Sequence, residues 1–432
     1  MTPLLSLSVA MFMGLLLTRL GNKLKLPDVT AYLVAGVLVG PYFLGALNIP
    51  GVGFCNFDQL DNLKVISNVA LGFIAFSMGT EFKISKLKET GKTDTFIGIF
   101  QAVFTTLVVD IALVIFHFIA PNVISVSAAI TLGAIAAATA PATTLMVVRQ
   151  YKAKGEVTKL LLPIVAIDDA VGLILFAVSF GIAKAIHGGV IDVNTIAFNP
   201  LIEIFASLAL GALAGLLLTF IEKFFHSNTN RLIMSISFIL LTVALSMIKL
   251  EGKVSLGFSP LLVCMMLGSV FCNTCPLSDE IMERADKWSL PILELFFVVS
   301  GAELKLNVFT QITAVLLGVF YVLSRSLGKY IGARISTKTM KCEPNVVKYL
   351  GITLLPQEGV ALGMTVTASQ LPNEGSLIRN IVLFAVLIYE LTAPLMTKWA
   401  LTKAGEIKPM SPEVANRREQ KLIVAANNKS NK

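Results

Sequence analysis

Charge is what this chain has least of. Only 14% of its 432 residues are Asp, Glu, Lys or Arg, against 55% apolar, and the mean hydropathy is +0.79. A water-soluble domain cannot hide that much apolar surface, so the composition excludes a soluble enzyme and indicates a polytopic membrane protein. Cysteine is scarce too. Of the five, only Cys272 and Cys275 stand at a metal-like spacing, and no second pair or nearby histidine completes four ligands. They read as incidental thiols. No Gly-x-x-x-x-Gly-Lys-Ser/Thr loop is present, which disfavours an ATP-driven pump. The polar stretch after Lys403 is too short for a nucleotide-binding domain and reads as a disordered tail. No basic region precedes the first apolar run at Pro3–Leu4, so that run is expected to stay in the mature protein.

What remains is apolar runs. Thirteen segments, at about 4–18, 29–48, 65–82, 95–120, 123–148, 160–183, 200–222, 232–248, 257–272, 289–304, 307–333, 349–370 and 380–397, are candidate membrane helices, since roughly 20 apolar residues span a bilayer core. The fold class expected is an all-α polytopic membrane protein of 13 helices. The net charge of +8 would suit nucleic acid if it were clustered, but it is sorted by loop. Nineteen basic residues fall in loops after odd-numbered segments, six after even-numbered ones, and eight in the tail from Lys398. The positive-inside rule then sets the N-terminus outside and the tail in the cytoplasm. Only Arg325 and Lys329 are left within the spans.

The two halves echo each other. Phe76-Ser-Met-Gly79-Thr-Glu81-Phe-Lys83 ends segment 3, and Val298-Val-Ser-Gly301-Ala-Glu303-Leu-Lys305 ends segment 10, Gly301 lying 222 residues after Gly79. Gly133 to Pro141 in segment 5 roughly matches Gly351 to Gly359 in segment 12, 218 residues on. A shift of seven segments reverses direction, so the halves are expected to form an inverted-topology repeat with segment 7 as linker, a signature of alternating-access transporters. Segments 5 and 12 carry corresponding breaks, Thr139-Ala-Pro141 and Pro356-Gln-Glu-Gly359. Proline frees a carbonyl one turn back, and paired interruptions point to a midplane binding site. Segment 2 has its own Gly/Pro interruption, Gly36-Val-Leu-Val-Gly40-Pro41.

The mid-span acids are Asp110, Asp168, Asp169, Glu358 and Glu390. One Asp at the centre of a membrane helix costs about 2.5–3.5 kcal/mol. Two in succession read as a cation and proton site, and residues about 100° apart around a helix must serve different partners. Lys329 is the expected partner of one Asp on segment 6. Gly328 and Gly332 around it let another helix come close. Arg325, one turn earlier, shares that face and is expected to hold Glu358 or Glu390, the alternative for either base being a side chain that snorkels to the interface. Asp110 either faces a partner helix or lies near an interface.

Three stretches carry a family resemblance: Ile167-Asp168-Asp169-Ala-Val-Gly-Leu, Arg325-Ser-Leu-Gly328-Lys329-Tyr-Ile-Gly332 and Ala138-Thr139-Ala-Pro141. Together they resemble the monovalent cation:proton antiporter-2 family, in particular its bacterial sodium/proton antiporters with the NhaA/NapA-type fold. The resemblance implies two discontinuous helices that cross within a mobile core, beside a dimerising scaffold. On that pattern residues 1–90 and 229–305 are scaffold (segments 1–3 and 8–10), 91–190 and 306–403 are core (segments 4–6 and 11–13), 191–228 is the linker and 404–432 the tail. It implies Asp169 as principal cation ligand, Asp168 as partner of Lys329 and participant in proton exchange, and Thr139 with nearby carbonyls completing an oxygen site. Arg325, Gln357, Glu358 and Glu390 would stand behind it, Glu390 within a Tyr-Glu-Leu-Thr-Ala-Pro run similar to the family's. Potassium-efflux relatives gated by glutathione carry Gln and a single Asp where this chain has two, and a large nucleotide-binding domain as well.

The expected function is therefore electrogenic exchange of sodium or lithium for protons by a homodimer in a bacterial inner membrane, with no cofactor, no enzymatic activity and no nucleic-acid partner. Potassium/proton exchange is the alternative. The rival of another class is a membrane sensor or channel-like protein with a vestigial antiporter core.

Overall fold

A computed structural model of the chain describes residues 2–24, 28–85, 91–140, 144, 147–148, 151–187, 193–248, 258–306, 312–357 and 359–407. Pro141, Glu358, the tail from 408, and the side chains of Glu81 and Asp169 lie outside the described residues. Among the described residues there is no strand, only helix and short connections. That is what hydrocarbon demands: without water, every backbone N–H and C=O must be satisfied within its own segment.

In chain order the helices are α1 (Thr2–Leu24), α2 (Asp28–Val39), the short α3 (Phe57–Asp61), α4 (Lys64–Met78), α5 (Lys92–Ile119), α6 (Val126–Ile135) and α7 (Glu156–His187). They continue as α8 (Val193–Glu222), α9 (Asn228–Ser246), α10 (Pro260–Thr274), α11 (Ser278–Ala302), α12 (Ile312–Thr339), α13 (Pro344–Thr353), α14 (Gly359–Ala368) and α15 (Gly375–Lys403). Among the described residues seven helical stretches are long and apolar enough to cross a bilayer by themselves. They are Pro3–Gly21, Asp28–Leu47, Lys92–Ile119, Ile202–Glu222, Asn228–Ser246, Ile312–Thr339 and Gly375–Lys403. Of the other apolar segments, α4 and α10 are helices of 15 residues, whereas α7 runs over 32 and α11 over 25. The ten residues of α6, α13 and α14 each span only about 15 Å, half a hydrocarbon core.

The polarity of the molecule is inverted relative to a soluble bundle. Leu15, Leu16 and Leu20 on α1, Leu213, Leu216, Leu217 and Phe220 on α8, and Leu323 and Leu327 on α12 are exposed, whereas Gln101, Asp168, Arg325, Lys329 and Glu390 are fully buried. α5 packs on α6, α7 and α12, and α12 on α13 and α15. A second set joins α2 to α1 and α11, α4 to α10 and α11, and α8 to α10.

Two crossings of this second set depend on glycine. A Cβ on Gly36 of α2 would strike the Val298 carbonyl of α11, and one on Gly301 of α11 would strike the Leu33 carbonyl of α2. A Cβ on Gly79, just past α4, would strike the backbone of Gly268 and Ser269 in α10. Small residues buy this close backbone approach. The interruption in segment 2 is thus a helix end: α2 stops at Val39, and a 3-10 turn follows over Leu44–Leu47.

Candidate functional site

The site forms where two helices stop short. α6 ends at Ile135 and residues 138–140 are non-helical; α13 ends at Thr353 and 355–357 are non-helical. The sequence dictates both stops. A residue before proline is pushed out of the helical region, which acts on Ala140 and Leu355, and Pro356 has no N–H to donate. The two extended pieces meet, the Ala140 amide donating to the Pro356 carbonyl at 3.0 Å. Thr144 Oγ1 donates to the Thr353 carbonyl at 3.1 Å.

Such breaks leave carbonyls without helical partners, and α12 supplies the donors. Arg325 donates through Nε to Ala136 O (3.0 Å), through Nη1 to Leu355 O (2.6 Å), and through Nη2 to Ala138 O (2.7 Å) and, at longer range, Pro356 O (3.4 Å). Its guanidinium carbon stands 4.6 Å from the ring centroid of Tyr389, a cation–π arrangement. The Tyr389 hydroxyl in turn donates to Val322 O at 2.8 Å. Arg325 is 0% exposed, so it does not snorkel. Among the described residues it has no carboxylate partner, which corrects the expectation that it holds Glu390. The physical reason is supply: the Ala136, Ala138 and Leu355 carbonyls left by the breaks, with Pro356 O shared with the Ala140 amide, match a planar fork of five N–H donors better than one carboxylate does.

One turn on, Lys329 reaches Asp168. Their ion pair, Nζ to Oδ2, is 2.6 Å, and both side chains are 0% exposed. Lys329 also donates to Thr139 Oγ1 at 2.8 Å and to the Ala137 carbonyl. Among the described residues these acceptors can take the three N–H donors of an ammonium. Asp168 accepts from Thr139 Oγ1 at Oδ2 and from Gln101 Nε2 at Oδ1. A buried ion pair returns its desolvation cost only when its remaining lone pairs and protons find partners, and here they do. The neighbour admitted by Gly328 and Gly332 is α5. A Cβ on Gly328 would stand 3.1 Å from Thr105 Cα, and one on Gly332 would stand 3.2 Å from Gln101 Cα.

Asp168, Thr139 and Lys329 are therefore brought together, with Arg325 behind them. Asp169 follows Asp168 in α7, its side chain outside the described residues, as is Glu358. Gln357 lies in the second break and donates to Ile135 O at 3.0 Å and to the Tyr321 hydroxyl at 3.1 Å. Glu390 is fully buried and accepts at Oε2 from Thr30 Oγ1 of α2 at 3.0 Å, a contact to the second helix set. Asp110 faces α6, where a Cβ on Gly133 would strike its Oδ1. Gln101 is the residue sequence reasoning missed. The signal that could have found it is the Gln101/Thr105 pair at i, i+4 in an otherwise apolar run. The arrangement offers carboxylate, hydroxyl, amide and carbonyl oxygens, a donor set for hard cations, and titratable groups that also take protons.

Comparison with known proteins accords with this geometry. A family model described as "Sodium/hydrogen exchanger, transmembrane" matches residues 7–403. The Na(+)/H(+) antiporter 1 of Methanocaldococcus jannaschii is 27% identical over 342 residues, covering 76% of this chain and 75% of the relative. A solved structure of the sodium proton antiporter MjNhaP1 from that organism, at pH 8, superposes with a TM-score of 0.68 at 23% identity, over 93% of this chain and 97% of the other. An electron-microscopy structure of the same antiporter gives 0.65 at 18% identity, over 94% and 98%. At those identities the two structures speak for the fold.

Proposed function

The chain belongs to the sodium/hydrogen exchanger family, and from that premise we propose that it is an electrogenic sodium (or lithium)/proton antiporter working by alternating access. The observation that carries the reading is the fully buried Asp168–Lys329 pair, bridged by Thr139 at the meeting point of two interrupted helices. In this reading Asp169 is the principal ligand of the dehydrated cation. Asp168 and Thr139 contribute oxygens once Lys329 is displaced, and cation and protons compete for the same carboxylates. Competition for one site is what couples the two fluxes.

The architecture that goes with it is thirteen spans in two inverted halves, with segments 5 and 12 as crossing discontinuous helices. Segments 4–6 and 11–13 form a core moving against a scaffold of 1–3 and 8–10, and two copies associate through the scaffold. Two observations support it. α4 packs against α10 and α2 against α11 through matching glycines, the reciprocal arrangement that an inverted repeat generates. Loops expected on the cytoplasmic side also touch one another. Lys83 pairs with Asp279 at 2.5 Å, and Asn345 Nδ2 donates to Ala404 O at 3.3 Å. On the other side the Lys305 amide donates to Asn380 at 3.1 Å. The N-terminus is then external and the tail cytoplasmic, in a bacterial inner membrane.

The test is cation-dependent proton flux in proteoliposomes under an imposed pH gradient, compared across sodium, lithium and potassium. Flux with sodium or lithium is expected. Flux with potassium alone would transfer the reading to potassium/proton exchange. No cation-dependent flux would leave a sensor with an antiporter-like core.

A further inference from the structure

Gln101 lies on α5 and is fully buried. Its amide nitrogen faces two acceptors, Asp168 Oδ1 and the Gly98 carbonyl at 3.3 Å. Only the NH2 end can satisfy both, which fixes the amide orientation and turns Oε1 away from them. That oxygen is buried and meets no donor among the described residues. A buried acceptor with no donor is a costly thing to keep, and an alkali cation is a partner that would satisfy it.

The oxygens around it are already engaged. Asp168 Oδ1 accepts from Gln101, Oδ2 from Thr139 and Lys329, and the Thr139 oxygen accepts from Lys329. Gln357 also has a buried Oε1 that meets no donor among the described residues, but its amide is turned to Ile135 and Tyr321. Gln101 is also held firmly in place, because α12 approaches α5 within van der Waals distance at Gly332.

We propose that Gln101 is a positioning and specificity-determining residue of the cation site: its NH2 group fixes the rotamer of Asp168, and its Oε1 supplies a neutral oxygen to the cation. This rests on the antiport reading above. A neutral oxygen on a fixed side chain helps set the size of the oxygen cage, so it should act on the choice between lithium and sodium more than on the rate of transport.

The experiment is Gln101→Met, which keeps length and volume but removes both amide functions, assayed for sodium- and lithium-driven proton flux in proteoliposomes. We expect the KM for sodium to rise about tenfold or more, as happens when groups orienting metal ligands are lost. The maximal rate should stay within a few-fold, and the lithium-to-sodium KM ratio should change. Unchanged KM values would overturn the proposal, as would equal rises for both cations with a parallel fall in rate, the mark of a packing role. Should Gln101→Met not yield monodisperse protein, Gln101→Glu is the second variant, and a wild-type KM ratio in it would count against the proposal equally. A wild type without flux would instead sink the antiport reading. In that case sodium-induced thermal stabilisation, present in wild type and weakened in the variant, would sustain the role of Gln101, and equal stabilisation of both would end it.

Discussion

Replacing Arg325 by methionine removes one buried cation and strips three carbonyls, those of Ala136, Ala138 and Leu355, of their donor at once, while Pro356 O keeps the Ala140 amide. The three shorter bonds, 2.6, 2.7 and 3.0 Å, carry the effect; the one at 3.4 Å adds little. Hydrogen bonds to charged groups in soluble proteins are worth about 1.5–3 kcal/mol each, which would give about 4.5–9 kcal/mol for three. Between membrane helices the average is about 0.6 kcal/mol, because groups unfolded within the bilayer find other partners, and that gives about 2 kcal/mol. The lower scale is the better guide to a bond that can be replaced. These carbonyls belong to two non-helical pieces packed together and cannot turn to new donors without separating them. Against that, methionine no longer has to be desolvated as a guanidinium does. We therefore expect Arg325→Met to lower stability by about 2–4 kcal/mol on the membrane scale multiplied by this confinement, and exchange to fall with it. The assay is reversible unfolding in mixed micelles titrated with SDS, alongside flux in liposomes. Arg325→Lys should recover little, since a point charge cannot fork to carbonyls on both breaks. Wild-type stability in Arg325→Met, or full recovery in Arg325→Lys, would refute the reasoning.

Other expectations follow from the same geometry. Asp169→Asn should abolish sodium-dependent flux while leaving the folded protein intact by gel filtration; normal flux would remove Asp169 as principal ligand. Lys329→Gln should still exchange but become electroneutral, read as flux that no longer responds to a membrane potential clamped with potassium and valinomycin. Glu406 closes the N-terminus of α7, accepting from the amides of Val157 (2.6 Å) and Thr158 (2.9 Å) and from Thr158 Oγ1 (2.6 Å). Glu406→Ala should cost about 1–2 kcal/mol, as loss of a helix cap does, and should speed hydrogen exchange at residues 157 and 158; unchanged exchange there would mean that other groups cap the helix.

Sequence reading succeeded where the signal was a charge or a proline in an apolar run. Asp168 and Lys329 stood out for that reason and Thr139 through the family resemblance, and the structure sets the three within hydrogen-bond distance of one another. It failed where the partner was backbone. Nothing in the letters Ala136, Ala138 or Leu355 announces a carbonyl without a helical donor, so Arg325 was matched to carboxylates, the acceptors of opposite charge that a sequence displays. Gln101 was passed over because an uncharged amide barely disturbs the hydropathy of segment 4. Glu390 stood out by its motif, and its contact to Thr30 of α2 is a pairing 360 residues apart that no local pattern encodes. The thirteen apolar segments were legible as runs. Helix ends inside those runs were legible where proline stands, at Pro41, Pro141 and Pro356, because the backbone consequence of that residue type is fixed.

Arg325 and Lys329 stand one turn apart on α12, both without solvent exposure, yet their chemistry separates them. The carbonyls that hold Arg325 do not titrate, and a guanidinium does not lose its proton in proteins, so that charge is constant. Lys329 is held by Asp168, a group that a cation can take over. Under the proposed exchange, the cation-free site has Asp168 ionised, Lys329 charged and Asp169 protonated. Cation entry deprotonates Asp169 and takes Asp168 from Lys329. A buried ammonium left without its partner is disfavoured and gives up its proton. Two protons then leave for each monovalent cation that enters, and net charge moves. With glutamine at position 329 only the Asp169 proton is left to exchange, one for one. The electrogenic claim therefore rests on Lys329, a buried side chain that the proposed exchange releases when the ion arrives.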